Sequence, residues 1–214
     1  MKMHIATTIS ITLLYALAST NLSANAIPGF NQKSLHLWQT EEFQGKTSYK
    51  LILENQIQIL EAKSNNSASG LFFKKKLKLK PDSMLSWRWK VSGISPQLNE
   101  TTKTGDDFPA RVYIVVSEGP FFWQKRTLVY VWSNNQPVGN RWNNPFTDRA
   151  VMWAVNSGPE KTNTWQSHQR LLHKDLFTAF GKKYNEIEAI AVMTDSDNSG
   201  SQFLSWYGDI SLKY

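Results

Sequence analysis

The sequence predicts an all-β protein, an antiparallel β-sandwich of the jelly-roll kind carrying one short helix. Three observations predict it. After Ser34 the dominant hydrophobic period is two, in short runs rich in β-branched and aromatic residues. Gly, Pro, Asn, Asp and Ser punctuate those runs. Strand-like and helix-like segments do not alternate, as they would in a parallel α/β fold.

The chain opens MKMHIATTISITLLYALASTNLSANA, with Lys2 ahead of an apolar run from Ile5 to Leu17 and a small-x-small site at Ala24-Asn25-Ala26. These are the parts of an export signal. The run is shorter than the ~20 apolar residues of a membrane-spanning helix. Cleavage after Ala26 is therefore expected, leaving residues 27–214 as one sandwich domain in the periplasm or outside the cell.

Strand patterns follow at SYKLILEN (48–55), QIQILEAK (56–63), ASGLFFKKKLKLK (68–80), SMLSWRWKV (83–91) and ARVYIVVS (110–117). Further ones are RTLVYVWS (126–133), AVMWAVNS (150–157), IEAIAVMTD (187–195) and FLSWYGDISLK (203–213). The one helix is expected over 173–183, where Leu176, Phe177 and Phe180 share a face and Gly181 stands near the end. Two polar connections, 93–109 and 134–149, exceed the ~12–15 residues usual for structureless loops. Were the strands at 83–91, 110–117, 126–133 and 150–157 successive antiparallel neighbours, both loops would leave the same end of the sheet and form a ligand rim.

Composition bounds the function. The chain has no cysteine, which excludes disulfides, thiolate zinc sites and cysteine nucleophiles. Stability must come from a buried core, to which nine Trp, eleven Phe and seven Tyr contribute. Loss of the first 26 residues lowers the formal charge only from +7 to +6, because they hold one lysine and no acid. That excess is modest and no nucleic-acid recognition motif accompanies it. Nucleophile-elbow, zincin and phosphate-loop motifs are also missing, and His36, His168 and His173 stand apart in sequence.

SWRWKV, GDDFPARVYIVVS, LVYVWS, NPFTDRAVMWAVNSG, FGKKYNEIEAIAVMTDSDNSG and WYGDISL, in this order, resemble the bacterial domain-of-unknown-function family 3047. The likeness runs from about Ser69 to the C-terminus. It implies an exported β-rich protein and supplies no catalytic residues to carry over. The ending YGDISLKY also looks like the last strand of carbohydrate-binding jelly rolls, an analogy of fold.

Strand alternation points to a ligand face. Trp87 and Trp89 oppose Ser86, Arg88 and Lys90, while Val112, Ile114 and Val116 oppose Arg111 and Tyr113. With Val129 and Val131 inward, Tyr130 and Trp132 join the open side. A face of Arg88, Arg111, Tyr113, Tyr130 and Trp132 suits a sugar, whose CH surfaces stack on rings while guanidinium groups bind hydroxyls or carboxylates. Alternatively the rings pack in the core and the arginines find buried acids such as Asp107 or Asp209.

In MTDSDNSGSQFLSW, Asp195, Asp197, Ser199 and Gly200 hold positions one, three, five and six of an EF-hand loop, so Ca²⁺ is a candidate cofactor. Position twelve is Trp206 instead of Glu, and a strand follows where a helix should. A calcium site would then need Asp106, Asp107 or Asp209 from elsewhere. The other reading is a polar turn with Gly200 at positive φ.

The run KKKLKLK places Lys74, Lys76, Lys78 and Lys80 on one face. It suits anionic glycans or lipid head groups, and equally an edge strand protected from pairing. Together these features describe an exported, non-catalytic sandwich that binds a carbohydrate or another polar envelope ligand. A glycan-acting hydrolase or lyase using Asp106, Asp107, Asp195, Asp197 and Asp209 is the second reading. A structural envelope protein is the third.

Overall fold

A computed structural model describes residues 26–214; residues 1–25, which hold most of the expected export segment, lie outside them. The strands β1 (Gln39–Gln44), β2 (Ser48–Glu54), β3 (Ile57–Asn65), β4 (Ala68–Phe73) and β5 (Leu77–Lys78) come first. Next are β6 (Met84–Val91), β7 (Ala110–Ser117), β8 (Lys125–Ser133), β9 (Arg141–Asn143), β10 (Ala150–Ser157) and β11 (Gln166–Leu171). The helix α1 (Leu172–Phe180) precedes β12 (Glu186–Ile187), β13 (Ala189–Asp195), β14 (Gln202–Tyr207) and β15 (Ser211–Lys213).

These strands form the expected antiparallel sandwich of jelly-roll type. The first sheet has seven strands in the order β1-β4-β13-β7-β8-β10-β9; the second runs β11-β6-β14-β3-β2, with β15 also paired to β6. β5 and β12 make a separate two-stranded ladder. The β2–β3 hairpin turns on Asn55 and Gln56, both at positive φ, the geometry that matches the twist of two adjacent strands.

Alternate residues of the two inner faces meet in one core. The first sheet contributes Val112, Ile114, Tyr130, Trp132, Ile190 and Val192, and the second contributes Leu60, Leu85, Trp87, Trp89, Val91 and Tyr207. Trp87 stacks on Tyr130 at 5.0 Å across the layer. Two of the polar groups buried in this core are hydrogen-bonded, Tyr130 donating to Asp175 at 2.7 Å and Trp89 Nε1 to Asn156 at 2.7 Å, whereas Trp87 Nε1 is buried without a partner.

Two expectations are corrected. The helix spans Leu172–Phe180, capped by Gly181 in the left-handed region at φ 68°, and its buried residues include Leu172 and Leu176, one turn apart, while Phe177 is exposed. The four strands expected as successive antiparallel neighbours are not: β6 lies in the second sheet, and β8 pairs β10 in parallel. The two long loops converge nonetheless. Glu100, buried in the first, accepts from the Ser133 hydroxyl and from the backbone N–H groups of Asn134, Asn135 and Gln136 in the second. Asn135 Nδ2 donates back to Leu98 O at 2.7 Å. Burial raises the Glu100 carboxyl pKa, and these four donors oppose the shift.

Candidate functional site

The five residues expected on one open face do not share it. Register decides the matter: Val112 faces Tyr130 and Ala110 faces Trp132, whereas Arg111 faces Val131 and Tyr113 faces Val129. Tyr130 and Trp132 therefore point into the core, each 0% exposed. Val129 and Val131 instead lie outward, in a small apolar cluster with Phe108, Met152 and Ala154, against which Tyr113 and Trp142 pack. Arg111 is buried in an ion pair with Asp195, Tyr113 is half-buried on the outer side of the first sheet, and Arg88 lies on the open face of the other sheet.

That second face is built by residues of β6, β14 and β3 that alternate with the core. Lys90 on β6 stands opposite Trp206 on β14, which stands opposite Glu61 on β3. Trp165, just ahead of β11, leans over the row. The Arg88 guanidinium lies 4.4 Å from the centre of the Trp165 ring, and Lys90 Nζ lies 5.2 Å from Trp165 and 4.6 Å from Trp206. Carboxylates fix both indoles: Glu54 accepts from Trp165 Nε1 at 2.6 Å, and Glu61 from Trp206 Nε1 at 3.1 Å. A hydrogen bond from Lys90 is the main reason the Glu54 pKa is lowered.

Beyond Arg88 the face dips into an open cavity of about 350 Å³ lined by Ile57, Gln58, Ser86, Ser167, Gln169 and Asp209, among others. Gly208 makes room for the arginine. A Cβ there would come within 2.6 Å of Arg88 Cγ and Nε, so a residue without a side chain lets the Arg88 stem cross the backbone. Strand alternation in FLSWYGDISLK placed Trp206 opposite in sense to Tyr207 and was the available signal for it. Trp165 sits outside any alternating run, and sequence reasoning missed it.

The long loops and the TDSDNSG turn meet at one end of the sandwich. Carboxylate oxygens of Asp107, Asp195 and Asp197 come within 4.8 Å of one another, so three acids from two segments could face one cation. Protein donors already hold two of them. Asp107 accepts from Asn198 N at 3.1 Å, from Ser199 N at 2.7 Å and from the Ser199 hydroxyl. Asp195 accepts from Phe108 N at 3.4 Å and from Arg111 Nη2. Ser199, expected as a metal ligand, is thus a donor to Asp107, and Gly200 takes φ 68° as a tight turn requires.

Asp106 completes this end. Its Oδ2 accepts from Asn144 at 2.8 Å and lies 3.8 Å from Arg111 Nη1, while Oδ1 is buried without a partner. Burial pushes its carboxyl up to about 6 against the pull of Arg111. Burial, aided by the Asp107 charge, also raises Asp197. Asp209 lies apart, accepting from Phe30 N at 2.7 Å. The arrangement ties three loops together around buried charge.

Fold and site thus define a β-sandwich with one polar, tryptophan-bearing sheet face. The chain belongs to the family described as "Protein of unknown function (DUF3047)", whose profile matches residues 36–211. That match extends the resemblance seen in the sequence to the first strand. No curated protein matches the chain.

Solved structures of similar fold include the Emp47p carbohydrate recognition domain, at TM-score 0.47 and 15% identity, covering 92% of this chain and 98% of that one. A family 11 carbohydrate-binding module from Clostridium thermocellum aligns at TM-score 0.41 and 13% identity, covering 89% of this chain and 96% of that one. The glycoside hydrolase domain of Endo-D from Streptococcus pneumoniae R6 aligns at TM-score 0.42 and 11% identity over 82% of this chain, which spans only 21% of that structure. At these identities the likeness is one of fold alone.

Proposed function

We propose that the protein is an exported, non-catalytic module that binds a carbohydrate, or a comparably polar envelope polymer, on the outer face of its second sheet. The observation that carries the reading is the grouping of Arg88 and Lys90 with the part-exposed indoles of Trp165 and Trp206. Indole faces stack on the CH surface of a sugar ring, and the cations beside them bind its hydroxyl or carboxylate oxygens. Next to them, Ser86, Ser167, Gln58 and Gln169 offer donors and acceptors in the cavity. Asp106, Asp107 and Asp195 are buried and engaged with neighbouring groups, which favours binding over carboxylate catalysis.

The test is a glycan panel of neutral and uronic-acid oligosaccharides screened with the wild type and with Arg88→Ala. Binding that the substitution weakens at least about tenfold, a loss of about 1.4 kcal/mol, supports the reading. No binding to any glycan or envelope polymer, or equal binding by both proteins, sinks it.

A further inference from the structure

The lysine-rich run and the β7–β8 hairpin lie at the end of the sandwich opposite the acid cluster, and the ligand face uses neither. The hairpin reads EGPFFWQKR over 118–126. Gln124 closes its tip: its N–H donates to Phe121 O at 3.0 Å, its carbonyl accepts from Glu118 N at 2.9 Å, and its Oε1 accepts from Phe121 N at 3.1 Å. On this fixed tip the Phe121 and Trp123 rings stack at 4.6 Å with 3° between their planes. Both face outward, 53% and 49% exposed. A stacked aromatic pair held at a loop tip, with about half of each residue in solvent, is an exposed apolar feature of the kind that marks interaction surfaces.

Its surroundings are basic. Lys125 and Lys76 line one hollow beside Gly119 and Pro120 together with Glu186 and Glu188, and Lys74, Lys75, Lys76 and Lys125 line the next with Glu41 and Glu188. Residues 74–78, 117–126 and 182–188, with Glu41, carry eight lysines and arginines against four glutamates. Each of those glutamates is paired: Glu41 with Lys74, Glu118 with Arg126 and Lys182, and Glu186 and Glu188 with Lys76. The excess positive charge therefore faces outward around the aromatic tip.

We propose that this end docks on an anionic phospholipid surface, with Phe121 and Trp123 seated among the headgroups and the lysines on lipid phosphates. Aromatic rings favour the bilayer interface, and basic residues close to an anionic leaflet add attraction that falls away within a Debye length. The charge argues for lipid over protein. Protein interfaces exclude lysine from their cores and need ~800 Å² per partner, which two rings ringed by lysines do not offer.

Because the chain has no cysteine, a single Pro120→Cys labels the tip and Val138→Cys, in the exposed 134–149 loop at the other end, serves as control. Each full-length variant, carrying an environment-sensitive dye, is titrated with vesicles of phosphatidylglycerol and phosphatidylcholine and with phosphatidylcholine alone. The local probes report on the tip whatever the N-terminal segment does. A blue shift at 120 alone, only with the anionic vesicles, is expected. It should weaken at least about tenfold as salt goes from ~0.1 M to ~1 M and the screening length falls from about 10 to 3 Å. Phe121→Ser with Trp123→Ser should remove it, and Lys75→Glu with Lys125→Glu should weaken it. No shift at 120, an equal shift at both positions, or a shift that persists in the serine variant overturns the proposal. A concentration-dependent shift at 120 without lipid also overturns it, by assigning the tip to contact between copies of the chain.

Discussion

The Arg88 guanidinium lies 4.4 Å over the ring of Trp165, and Glu54 anchors that ring by accepting from Nε1 at 2.6 Å. A residue of β6, one ahead of β11 and one of β2 are thereby held as a unit on the outer face. Trp165→Ala should cost little stability, about 1 kcal/mol or less, because cation–π contacts at exposed sites are worth ~0.5–1 kcal/mol. Affinity for any glycan found in the panel should fall at least about tenfold. Urea unfolding beside binding calorimetry separates the two effects; unchanged affinity would remove Trp165 from the site.

The Arg111–Asp195 pair is the opposite case, since its side chains are 5% and 1% exposed. Arg111→Met leaves Asp195 and Asp106 buried beside no cation and should cost about 3–5 kcal/mol. Adding Asp195→Asn removes one stranded charge and should recover part of that loss. A double-mutant cycle in urea measures the coupling, and additive losses would show that the pair does not act as one.

Two groups make stability depend on pH in opposite directions. Burial pushes Asp106 from 3.8 up to about 6, so its contribution is fully present below pH 3.8 and is lost as the pH rises through about 6. Burial also pushes His168 from 6.5 down to about 4, so its contribution is present above pH 6.5 and is lost as the pH falls through about 4. Relative to wild type, Asp106→Asn should therefore do better at pH 7 than at pH 4.5. His168→Gln should do better at pH 4.5 than at pH 7. Urea midpoints at the two pH values check both signs.

Strands whose one face is apolar were legible, and so was the helix with its glycine stop. The long loops converge, but not through the antiparallel strand order from which convergence was expected, since β6 lies in the second sheet and β8 pairs β10 in parallel. The polar strands β1, β9 and β11, reading QTEEFQ, RWN and QSHQRL, were not, because each is the end strand of its sheet and has few apolar positions to alternate. β8 defeated the assignment of faces for another reason. Leu128, Val129, Tyr130, Val131 and Trp132 are apolar on both sides of the strand, so alternation alone fits either orientation. Only the pairing of Val112 with Tyr130 breaks the tie, and register against a neighbour is not written in one strand.

Calcium discriminates the turn from a metal site. An ion that binds only the folded state at a hundredfold excess over Kd adds about 2.7 kcal/mol, which in a domain of this size moves Tm by roughly 6–10 °C. Asp107 and Asp195 already accept from Asn198, Ser199, Phe108 and Arg111, and an ion among the acids would compete with those donors. The expected change between EDTA and millimolar calcium is under about 2 °C. A rise near the larger figure, lost in Asp195→Asn with Asp197→Asn, would assign the cluster to a cation instead.

Gly208 offers a test of the binding face that removes no contacting side chain. Its φ is not in the left-handed region, so alanine is tolerated by the backbone, yet the new Cβ would meet Arg88 Cγ and Nε at 2.6 Å. Because the clash reaches Cγ, near the root of the side chain, Arg88 must change rotamer from χ1 outward; the fold should lose about 1–3 kcal/mol, and the guanidinium leaves its place over Trp165. Gly208→Ala is therefore expected to weaken glycan binding by about the same factor as Arg88→Ala, with the protein still folded at a somewhat lower urea midpoint. Combining the two substitutions should add nothing further to the loss of affinity, because both act through one guanidinium. Full affinity in Gly208→Ala would mean that the position of Arg88 over the indole has no part in holding the ligand.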